Sequence, residues 1–419
     1  MATIVLVAPA ESYRTADFLR AATTLRIEAV VAGDAPHPLG GDLGAPLISV
    51  DLADPETAGA AIAEAVPDAA AVIAVDDPGV LAANAAARRL GVRHNPVAAV
   101  AATRDKVAMR HALRAANIAQ PVFAAAGPGD APRKASAIGF PAVIKPASLS
   151  ASRGVTRVED AAQAARAESR IRALLVAECG SGTEPLLVER YIAGDEVAVE
   201  GLLGPEGLEV LAVIDKPEPA IGPYFAETFL TTPSRLPHDR REAAVTLVRD
   251  SCAALGLVTG PIHAEVRIGG DGAPYLIEIA ARSIGGLCSR ALTFGFLGES
   301  LEVLILRGAL GWDHRAAGPA RLAAGVLMLP VPSSGLFTGL DGADRAAEVP
   351  GIDAVEITVH EGAELTALPD GTRYVGFVFA SGEAPATVEA SLRAAAAELT
   401  VVIDGEAVDP LHGQAWQRT

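Results

Sequence analysis

The sequence has 419 residues, of which 50% are hydrophobic and 20% are charged, and its formal net charge is −17. This length exceeds what one typical hydrophobic core organises, so it predicts two or three globular domains rather than a disordered chain. The acidic balance argues against a nucleic-acid backbone or an anionic membrane as the main partner, because both bind basic faces. A nucleotide stays compatible with it, since a few local lysines and backbone N–H groups can hold a triphosphate.

No apolar run reaches the roughly 20 residues that span a bilayer, so we expect no membrane segment. Residues 1–9 lack a basic region and predict a first strand instead of a secretory signal. The cysteines, Cys179, Cys252 and Cys288, show no Cys-x-x-Cys spacing. They predict neither a disulfide framework nor a zinc site, and the expected location is the cytoplasm.

The N-terminal part alternates apolar runs with amphipathic stretches. The apolar runs predict buried strands at residues 4–7, 29–32, 47–50 and 71–75, and the stretches between them predict helices at 58–66 and 80–90. Alternation of strands and helices is typical of a doubly wound parallel sheet. We therefore expect an α/β unit here.

The rest of the chain predicts a mixed α/β (α+β) architecture. A polar helix is expected over 103–116, and a short strand ends at Lys145 before a loop that contains serines and glycine. Further strands are predicted at residues 186–189, 197–200, 261–268, 275–280, 323–329, 355–359, 374–380 and 401–403, and helices at 237–256 and 387–398. The C-terminal part is thus expected to be rich in strands.

Two of these short strands carry the most informative pattern. In the first strand, His263, Glu265 and Arg267 alternate with apolar residues, and the period of two places the three polar side chains on one face. In the second strand, Glu278 and Arg282 alternate with apolar residues in the same way. Polar groups of both strands are therefore expected on one surface.

A hairpin signal, Asp271-Gly272, separates the two strands. A turn centred there places Glu265 directly opposite Glu278. Two facing carboxylates repel each other unless something neutralises them, and a hard divalent cation such as Mg²⁺ does so. The alternative is an exposed hairpin face with two solvated glutamates.

Arg282 is followed by Gly285 and Gly286. An arginine beside glycines offers a cationic fork and approachable backbone N–H groups, which suit an oxyanion or a carboxylate. The alternative is an arginine that pairs with one of the glutamates while the glycines open a loop.

Candidate phosphate ligands lie upstream. Lys145 precedes a loop that contains Ser148, Ser152 and Gly154, and small residues of this kind let backbone amides close over phosphates. Lys106 lies in the first turn of a predicted helix. The alternatives are a plain surface loop and a solvated lysine.

The segment 187–196 combines an apolar strand, a turn and an acidic residue. Glu196 can accept hydrogen bonds from ribose hydroxyls, and the backbone of Tyr191 and Ile192 can read an adenine edge. The alternative is an ordinary hairpin.

Taken in order, these segments resemble the ATP-grasp superfamily. The resemblance rests on residues 104–106, 143–146, 148–154, 188–196, 263–267 and 277–282. It implies an ATP-grasp fold with three parts: an N-terminal Rossmann-like domain over 1–102, an ATP-grasp domain over 103–320 whose lid covers about 118–190, and a C-terminal α/β domain over 321–419.

The resemblance also implies roles for the site residues. ATP would be bound by Lys106, Lys145, Ser148, Ser152, Gly154, Glu189, Ile192 and Glu196, of which Glu189 and Ile192 contact adenine through their backbone and Glu196 contacts ribose. Glu265 and Glu278 would hold Mg²⁺, with Mn²⁺ as a substitute. Arg282 and Gly285 would lie at the transferring phosphoryl group. Many members carry an asparagine where this chain has Ala280, so the number of metal ions stays open.

Within the superfamily, the Arg282-x-x-Gly285 arrangement and the stretch 222–234 resemble the L-amino acid ligases that form dipeptides. The resemblance implies an ATP-dependent ligase that activates a small carboxylate as an acyl phosphate and couples it to an amine. Glu227, His263 and Gly286 would contact the substrates, and a homodimer is plausible for this family. A solvated glutamate and a structural histidine are the alternatives for Glu227 and His263.

Two alternative functions stay open. One is another ATP-grasp activity, such as a purine-pathway formyl or carboxyl transfer or a biotin-carboxylase-like reaction, which phosphorylates a smaller acid. The other is a catalytically silent nucleotide-binding protein, for which Ala280 is the hint.

Overall fold

The computed structural model describes residues 2–10, 12–34, 44–218, 222–293, 297–314, 323–371 and 373–411. The N-terminal elements are β1 (Thr3–Val7), α1 (Thr15–Leu25), β2 (Glu28–Gly33), β3 (Leu47–Ser49), α2 (Pro55–Ala65), β4 (Ala71–Ala74) and α3 (Val80–Leu90). The four strands form a parallel sheet in the order β3-β2-β1-β4. This confirms the predicted α/β unit.

The same unit contains a helix that the sequence pattern did not indicate. In α1, the buried residues include the small side chains Thr15, Ala21 and Ala22 beside Phe18 and Leu19. The helix is amphipathic, with these residues on its buried face, and it was absent from the elements predicted for the N-terminal part. A 3₁₀ turn, Asp77–Gly79, joins β4 to α3, and the residue before it lies just past the carboxyl end of β4, an edge strand of the described parallel sheet.

Two helices, α4 (Val97–Arg104) and α5 (Lys106–Ala115), lead into the next unit. The single helix predicted over 103–116 is wrong at its start. Asp105 is extended, with φ −129° and ψ 103°, and its carboxylate accepts hydrogen bonds from the N–H groups of Val107 and Ala108 at 2.8 and 3.0 Å. Asp105 is therefore the N-cap of α5, and Lys106 is the first residue of that helix.

The segment predicted to be the lid, for which that name is kept below, consists of β5 (Phe123–Ala126), α6 (Ala131–Ile138), β6 (Ala142–Pro146), β7 (Thr156–Val158), α7 (Ala161–Cys179) and β8 (Leu186–Arg190). Its antiparallel sheet has the order β5-β8-β6-β7. The loop between β6 and β7 contains Ala151 and Ser152 at φ 56° and Gly154 at φ 71°. This backbone is tightly turned and projects residues 147–154 from the sheet.

The central elements are β9 (Gly194–Gly204), β10 (Gly207–Lys216), β11 (Phe229–Thr232), α8 (His238–Leu255), β12 (Gly260–Gly269), β13 (Pro274–Ala280), α9 (Ser289–Thr293) and α10 (Leu301–Leu310). The apolar residues of β12 pack with α8 and α5 in one core that includes Met109, Leu113, Val248, Ile262 and Ala264. The polar residues of β12 consequently face the other way. The strands β8 and β9, which the sequence places on either side of one turn, belong to different sheets.

The C-terminal elements are β14 (Ala323–Pro330), β15 (Gly335–Asp341), α11 (Ala343–Ala347), β16 (Ile352–Ile357), β17 (Glu364–Leu365), β18 (Tyr374–Gly382), α12 (Pro385–Glu398), β19 (Thr400–Ile403) and β20 (Glu406–Val408). One eight-stranded sheet, β13-β12-β9-β10-β11-β14-β18-β16, joins them to the central elements, and a smaller sheet has the order β17-β15-β19-β20. No helix among the described residues combines the length and hydropathy that a membrane crossing requires.

The hairpin β12–β13 has the register that the sequence predicts at its centre: Glu265 pairs with Glu278. The turn itself is wider than the expected two residues, because the N–H of Gly269 donates to the carbonyl of Ala273 at 2.9 Å. A bulge next to Glu265 offsets this difference by adding Ile277 to one strand. The two carboxyl-bearing residues therefore stay opposite each other.

The lid is fastened to the rest of the molecule by backbone contacts. The N–H of Gly154 donates to the carbonyl of Pro369 at 2.9 Å, and the N–H of Arg157 donates to the carbonyl of Pro223 at 2.8 Å. Residues 147–154 are thereby held between the lid sheet and the segment before β18.

Arg14 is fully buried and ties the N-terminal sheet to the central unit. Its Nη1 donates to the carbonyl of Val75 at 3.1 Å, while its Nη2 donates to Ser283 Oγ at 2.8 Å and to Glu302 Oε1 at 3.1 Å. The carboxyl end of β4 is therefore fixed against the loop that follows β13.

We predict that Glu302→Ala destabilises the protein more than the nearby control Glu299→Ala. Removing Glu302 leaves the buried guanidinium of Arg14 without its carboxylate, a change that costs about 3–5 kcal/mol. Glu299 pairs with Arg307 at 2.8 Å, with both side chains partly exposed, and such pairs contribute about 0.2–1 kcal/mol. Urea unfolding followed by circular dichroism measures both variants, and equal losses in the free energy of unfolding would contradict the prediction.

Candidate active site

A cavity of about 450 Å³ lies where the N-terminal sheet, the lid, the central sheet and the C-terminal part meet. Its wall is made by the carboxyl end of β4, the lid strands β6 and β8 with the loop between β6 and β7, and the strands β10, β12 and β13. The ionisable side chains on the wall include Asp76, Asp77, Lys106, Lys145, Glu189, Glu196, Lys216, Glu218, Glu227, His263, Glu265, Arg267, Glu278 and Arg282. A cavity so rich in charge favours a charged ligand.

Glu265 and Glu278 each have an ammonium partner. Oε1 of Glu265 accepts from Nζ of Lys216 at 2.7 Å, and Oε1 of Glu278 lies 3.1 Å from Nζ of Lys106. Burial raises the pKa of Glu265, and the neighbouring acids outweigh the opposing effect of Lys216. Burial also acts on Glu278, but Lys106 and Lys145 outweigh it and lower the pKa of that carboxyl.

Lys216 lies among three carboxylates. Its Nζ is 2.7 Å from Oε1 of Glu196 and of Glu265, and it also pairs with Glu227. Burial would lower the pKa of Lys216, but the three glutamates raise it well above its ordinary value. Lys216 is therefore a permanent cation at the centre of the cavity, and it makes the cluster of acids around it tolerable.

A second ion-pair group joins the lid to β13. Glu189 accepts from Nζ of Lys145 at 2.7 Å and also binds Arg110. Burial lowers the pKa of Lys145, with Glu189 opposing that shift and Arg110 adding to it. Arg110 also donates to the carbonyls of Leu276 and Ile277 at 3.0 and 2.6 Å. The position of Lys145 is therefore fixed relative to β13.

Glu196 accepts two charge-assisted hydrogen bonds at 2.7 Å, from Nζ of Lys216 and from Nε of Arg267. Burial would raise the pKa of Glu196, but these two cations lower it to about 2. Arg267 also donates to the carbonyl of Ile192 at 2.7 Å, and its guanidinium lies 5.0 Å from the ring centroid of Tyr191. The segment that follows β8 is thereby anchored to β12.

Arg282 forms a forked pair with Asp77, a residue of the N-terminal unit. Nε and Nη2 of Arg282 donate to Oδ2 of Asp77 at 3.0 and 2.7 Å, and Nη1 of Arg104 lies 2.9 Å from Oδ1. Burial would raise the pKa of Asp77, but the two arginines hold it well below its usual range. Asp77 therefore stays ionised and orients Arg282 along the cavity wall.

His263 is held by a buried carboxylate. Its Nδ1 lies 3.0 Å from Oε2 of Glu200, which is fully buried, and Glu200 also accepts from the N–H of Ile284 at 3.0 Å. This shared partner links the imidazole to the loop after β13. The glycine of that loop, Gly286, has φ 60°, and a Cβ there would lie 3.1 Å from the ring of Phe377.

The cavity brings together most of the residues that the sequence singles out. On its wall lie Lys106, Lys145, Ser152, Glu189, Ile192, Glu196, Glu227, His263, Glu265, Glu278, Arg282, Gly285 and Gly286. Ser148 and Gly154 lie outside the wall: the hydroxyl of Ser148 binds the carboxylate of Glu184 at 3.0 Å, and the N–H of Gly154 bonds Pro369. Their phosphate-binding role stays a prediction.

Three residues of the site were missed by the sequence reasoning: Lys216, Asp76 and Asp77. Lys216 ends an apolar strand and pairs in register with Glu196 across the β9–β10 hairpin. The available signal in the sequence was an acid, Glu196, at the start of one hairpin strand and a base, Lys216, at the end of the other. Asp76 and Asp77 directly follow β4, and the carboxyl ends of parallel strands are where such sheets place ligands.

The donor set at Glu265 and Glu278 fits a hard divalent cation. Mg²⁺ prefers carboxylate oxygens and water, and both carboxylates lie on the cavity wall. Burial, together with the neighbouring acids, raises the pKa of Glu265, and a bound cation would favour its ionised form. Ala280, also on the wall, brings no ligand atom.

Two segments of the chain match known protein families. Residues 138–291 match the ATP-grasp domain, and residues 327–404 match the L-amino acid ligase C-terminal domain 2. The first match contains the strands from β6 to β13, which carry most of the cavity wall. The second contains the strands that extend the central sheet.

Among curated proteins, an uncharacterised protein of Sinorhizobium fredii is 29% identical over 281 residues, which are 66% of this chain and 56% of that protein. An alanine–anticapsin ligase of Bacillus subtilis is 29% identical over 217 residues, which are 48% of this chain and 45% of the ligase. The chain thus spans about half the length of the curated relatives it matches.

Among solved structures, an L-amino acid ligase from Bacillus licheniformis has a TM-score of 0.81 at 24% identity, covering 96% of this chain and 99% of that chain. At this identity the likeness shows the fold, and it confirms the predicted fold class. The match to the ATP-grasp domain and the match to the ligase C-terminal domain cover different, successive parts of this fold. Residues 138–291 therefore match an ATP-grasp domain, and the chain as a whole is similar to the L-amino acid ligases.

Proposed function

We propose that the protein is an ATP-dependent carboxylate–amine ligase, which activates the carboxylate of an amino acid as an acyl phosphate and couples it to an amine. The observation that carries this proposal is the cavity in which the facing pair Glu265 and Glu278, four cations and the lid loop meet. Sequence similarity to an alanine–anticapsin ligase and the fold of an L-amino acid ligase support it.

The proposed reaction explains the excess of charged groups. A carboxylate is a poor electrophile, and phosphorylation by ATP converts it into one that an amine can attack. Phosphoryl transfer depends on charge neutralisation and alignment more than on covalent help from the protein. Lys106, Lys145, Lys216 and Arg282 bring four positive charges to the wall, and their present carboxylate partners hold them there until phosphates replace those partners.

ATP would lie between the lid and the central sheet. The backbone of Glu189 and Ile192 would contact adenine, and Glu196 would accept hydrogen bonds from ribose. The pKa of Glu196, about 2, keeps that carboxylate ionised and able to accept. Residues 147–154 would cover the phosphates and exclude water that hydrolyses an acyl phosphate.

Glu265 and Glu278 would hold Mg²⁺, or Mn²⁺ in its place. The ion supplies positive charge to the ATP phosphates when it is bound. Because Ala280 offers no ligand atom, a second ion would depend on the same two carboxylates.

The amino acid that is activated would lie beside the loop after β13. Glu227 would pair with its ammonium, and His263 is held in one orientation by Glu200 for contact with the substrate. Gly286 lies against the Phe377 ring, so a larger residue at this position of the wall would have to displace that ring. Arg282 would bind the phosphoryl group in transfer.

We predict that the protein releases ADP and phosphate from Mg-ATP only when amino acids are present, with a matching amount of amide product. The measurement is a coupled ADP assay with pools of amino acids, followed by mass spectrometry of the products. ADP release with formate or bicarbonate instead would indicate another ATP-grasp reaction. No substrate-dependent ADP release with any of these acids would contradict the proposed function.

We predict that Glu278→Gln lowers amino-acid-dependent ADP release by at least about 100-fold, because a neutral amide is a weaker ligand than a carboxylate for the Mg²⁺ that would balance the phosphate charge. The matched control is Glu242→Gln, at an exposed position of α8, and it should keep the wild-type rate. Calorimetric titration gives a second measurement: the variant should lose the Mg²⁺ dependence of ADP binding. Wild-type turnover together with wild-type Mg²⁺ dependence would disprove the metal assignment.

A further inference from the structure

Asp76 differs from the other carboxylates on the cavity wall. Each of the others in the described part of the chain forms an ion pair with an arginine or a lysine: Asp77, Glu189, Glu196, Glu218, Glu227, Glu265 and Glu278. Asp76 forms no ion pair with any described residue, although it lines the same cavity. Its charge is therefore available to a cationic ligand.

The orientation of Asp76 is fixed by Ser12. The hydroxyl of Ser12 accepts a hydrogen bond from the N–H of Arg14 at 3.3 Å and donates its own hydrogen to Oδ2 of Asp76. Oδ1 of Asp76 has no hydrogen-bond partner among the described residues, and the side chain is partly exposed on the wall. One oxygen thus holds the carboxylate in place while the other faces the cavity.

Asp76 is also held close to Arg282. The next residue, Asp77, takes both hydrogen bonds of the Arg282 fork. On the other side, Arg14 bonds the carbonyl of Val75 and the hydroxyl of Ser283, and these are the neighbours of Asp76 and Arg282 in the chain. The two side chains consequently share one rigid frame at the carboxyl end of β4.

We propose that Asp76 binds the ammonium of the incoming amine substrate and takes a proton from it, which makes Asp76 a catalytic residue of the second half-reaction. This role rests on the proposed ligase function. The amine must approach the acyl phosphate beside Arg282, where the cations that neutralise phosphate repel an ammonium. Glu227 is already shared with Lys216, whereas Asp76 is the carboxylate on the described part of the wall that has no ion pair and lies next to the Asp77–Arg282 fork.

The proton and electron balance of this step is complete. The ammonium gives one proton to Oδ1 of Asp76, and the freed lone pair of the amine nitrogen forms the C–N bond with the acyl carbon. The bond between the acyl carbon and the oxygen that bridges to phosphorus then breaks. Phosphate leaves with that electron pair and takes a second proton from the nitrogen. Asp76 returns its proton to water after the product leaves.

The surroundings of Asp76 favour this exchange. Burial raises the pKa of Asp76; Arg14, Ser12 and Arg282 oppose the shift, and Asp77 adds to it. A carboxylate with a raised pKa is a stronger base, and proton transfer improves as the pKa of the base approaches the working pH.

The test compares two nucleophiles in one assay. Hydroxylamine is largely unprotonated near neutral pH and attacks an acyl phosphate without a base, whereas an amino acid must first lose a proton. With Mg-ATP, an amino acid pool and hydroxylamine, Asp76→Asn should lower the ratio of amide to hydroxamate product by about 100-fold relative to wild type. Asp68→Asn, at an exposed position before β4, is the matched control and should keep the wild-type ratio.

The dependence on pH provides a second measurement. In Asp76→Asn the neutral amine has to come from solution, so amide formation should rise more steeply between pH 7 and 9 than in wild type. An unchanged ratio of amide to hydroxamate in Asp76→Asn would overturn the role of Asp76 while leaving the ligase function standing. Absence of any hydroxamate with wild type would overturn both, because no acyl phosphate would then be formed.

Discussion

The arrangement of this molecule depends on charge compensation in a cavity that is largely shielded from water. Removing an ionised group from water costs several kcal/mol unless an opposite charge meets it. Lys216 forms ion pairs with three glutamates. Arg282 and Arg104 pair with Asp77, and Lys145 pairs with Glu189. The pair of Arg282 with Asp77 joins the N-terminal unit to the central one, and the pair of Arg110 with Glu189 joins α5 to the lid, so contacts that neutralise charge also fix these units against one another.

The sequence predicts those parts of the site that depend on neighbours in the chain. Glu265 and Glu278 are found opposite each other because the strand period and a nearby turn are local properties. Even the error at the turn is compensated locally, by a bulge that adds Ile277. The split between α4 and α5 is a local feature as well, and it was missed because the capping role of Asp105 competes with an apparently continuous helix pattern.

The sequence did not predict the roles of Lys216, Asp76 and Asp77 in the site. Glu196 faces Lys216 across one hairpin, which is a local signal, but only the closed fold brings Ser12 to Asp76 and Arg282 to Asp77. Asp77 meets Arg282 across the boundary between two sheets, and no periodicity in either segment encodes that encounter. The pairing of β8 with the lid instead of with β9 is of the same kind, since strand patterns specify faces but not the choice of partner strand.

The hydrogen bond between Gly154 and Pro369 has a kinetic consequence. This bond fastens the C-terminal end of the loop 147–154 to a segment far along the chain from the lid strands. The residence time of a bound molecule would therefore depend on how strongly the residues near Pro369 hold the loop. A change at Pro369 would therefore act on residence time through the loop.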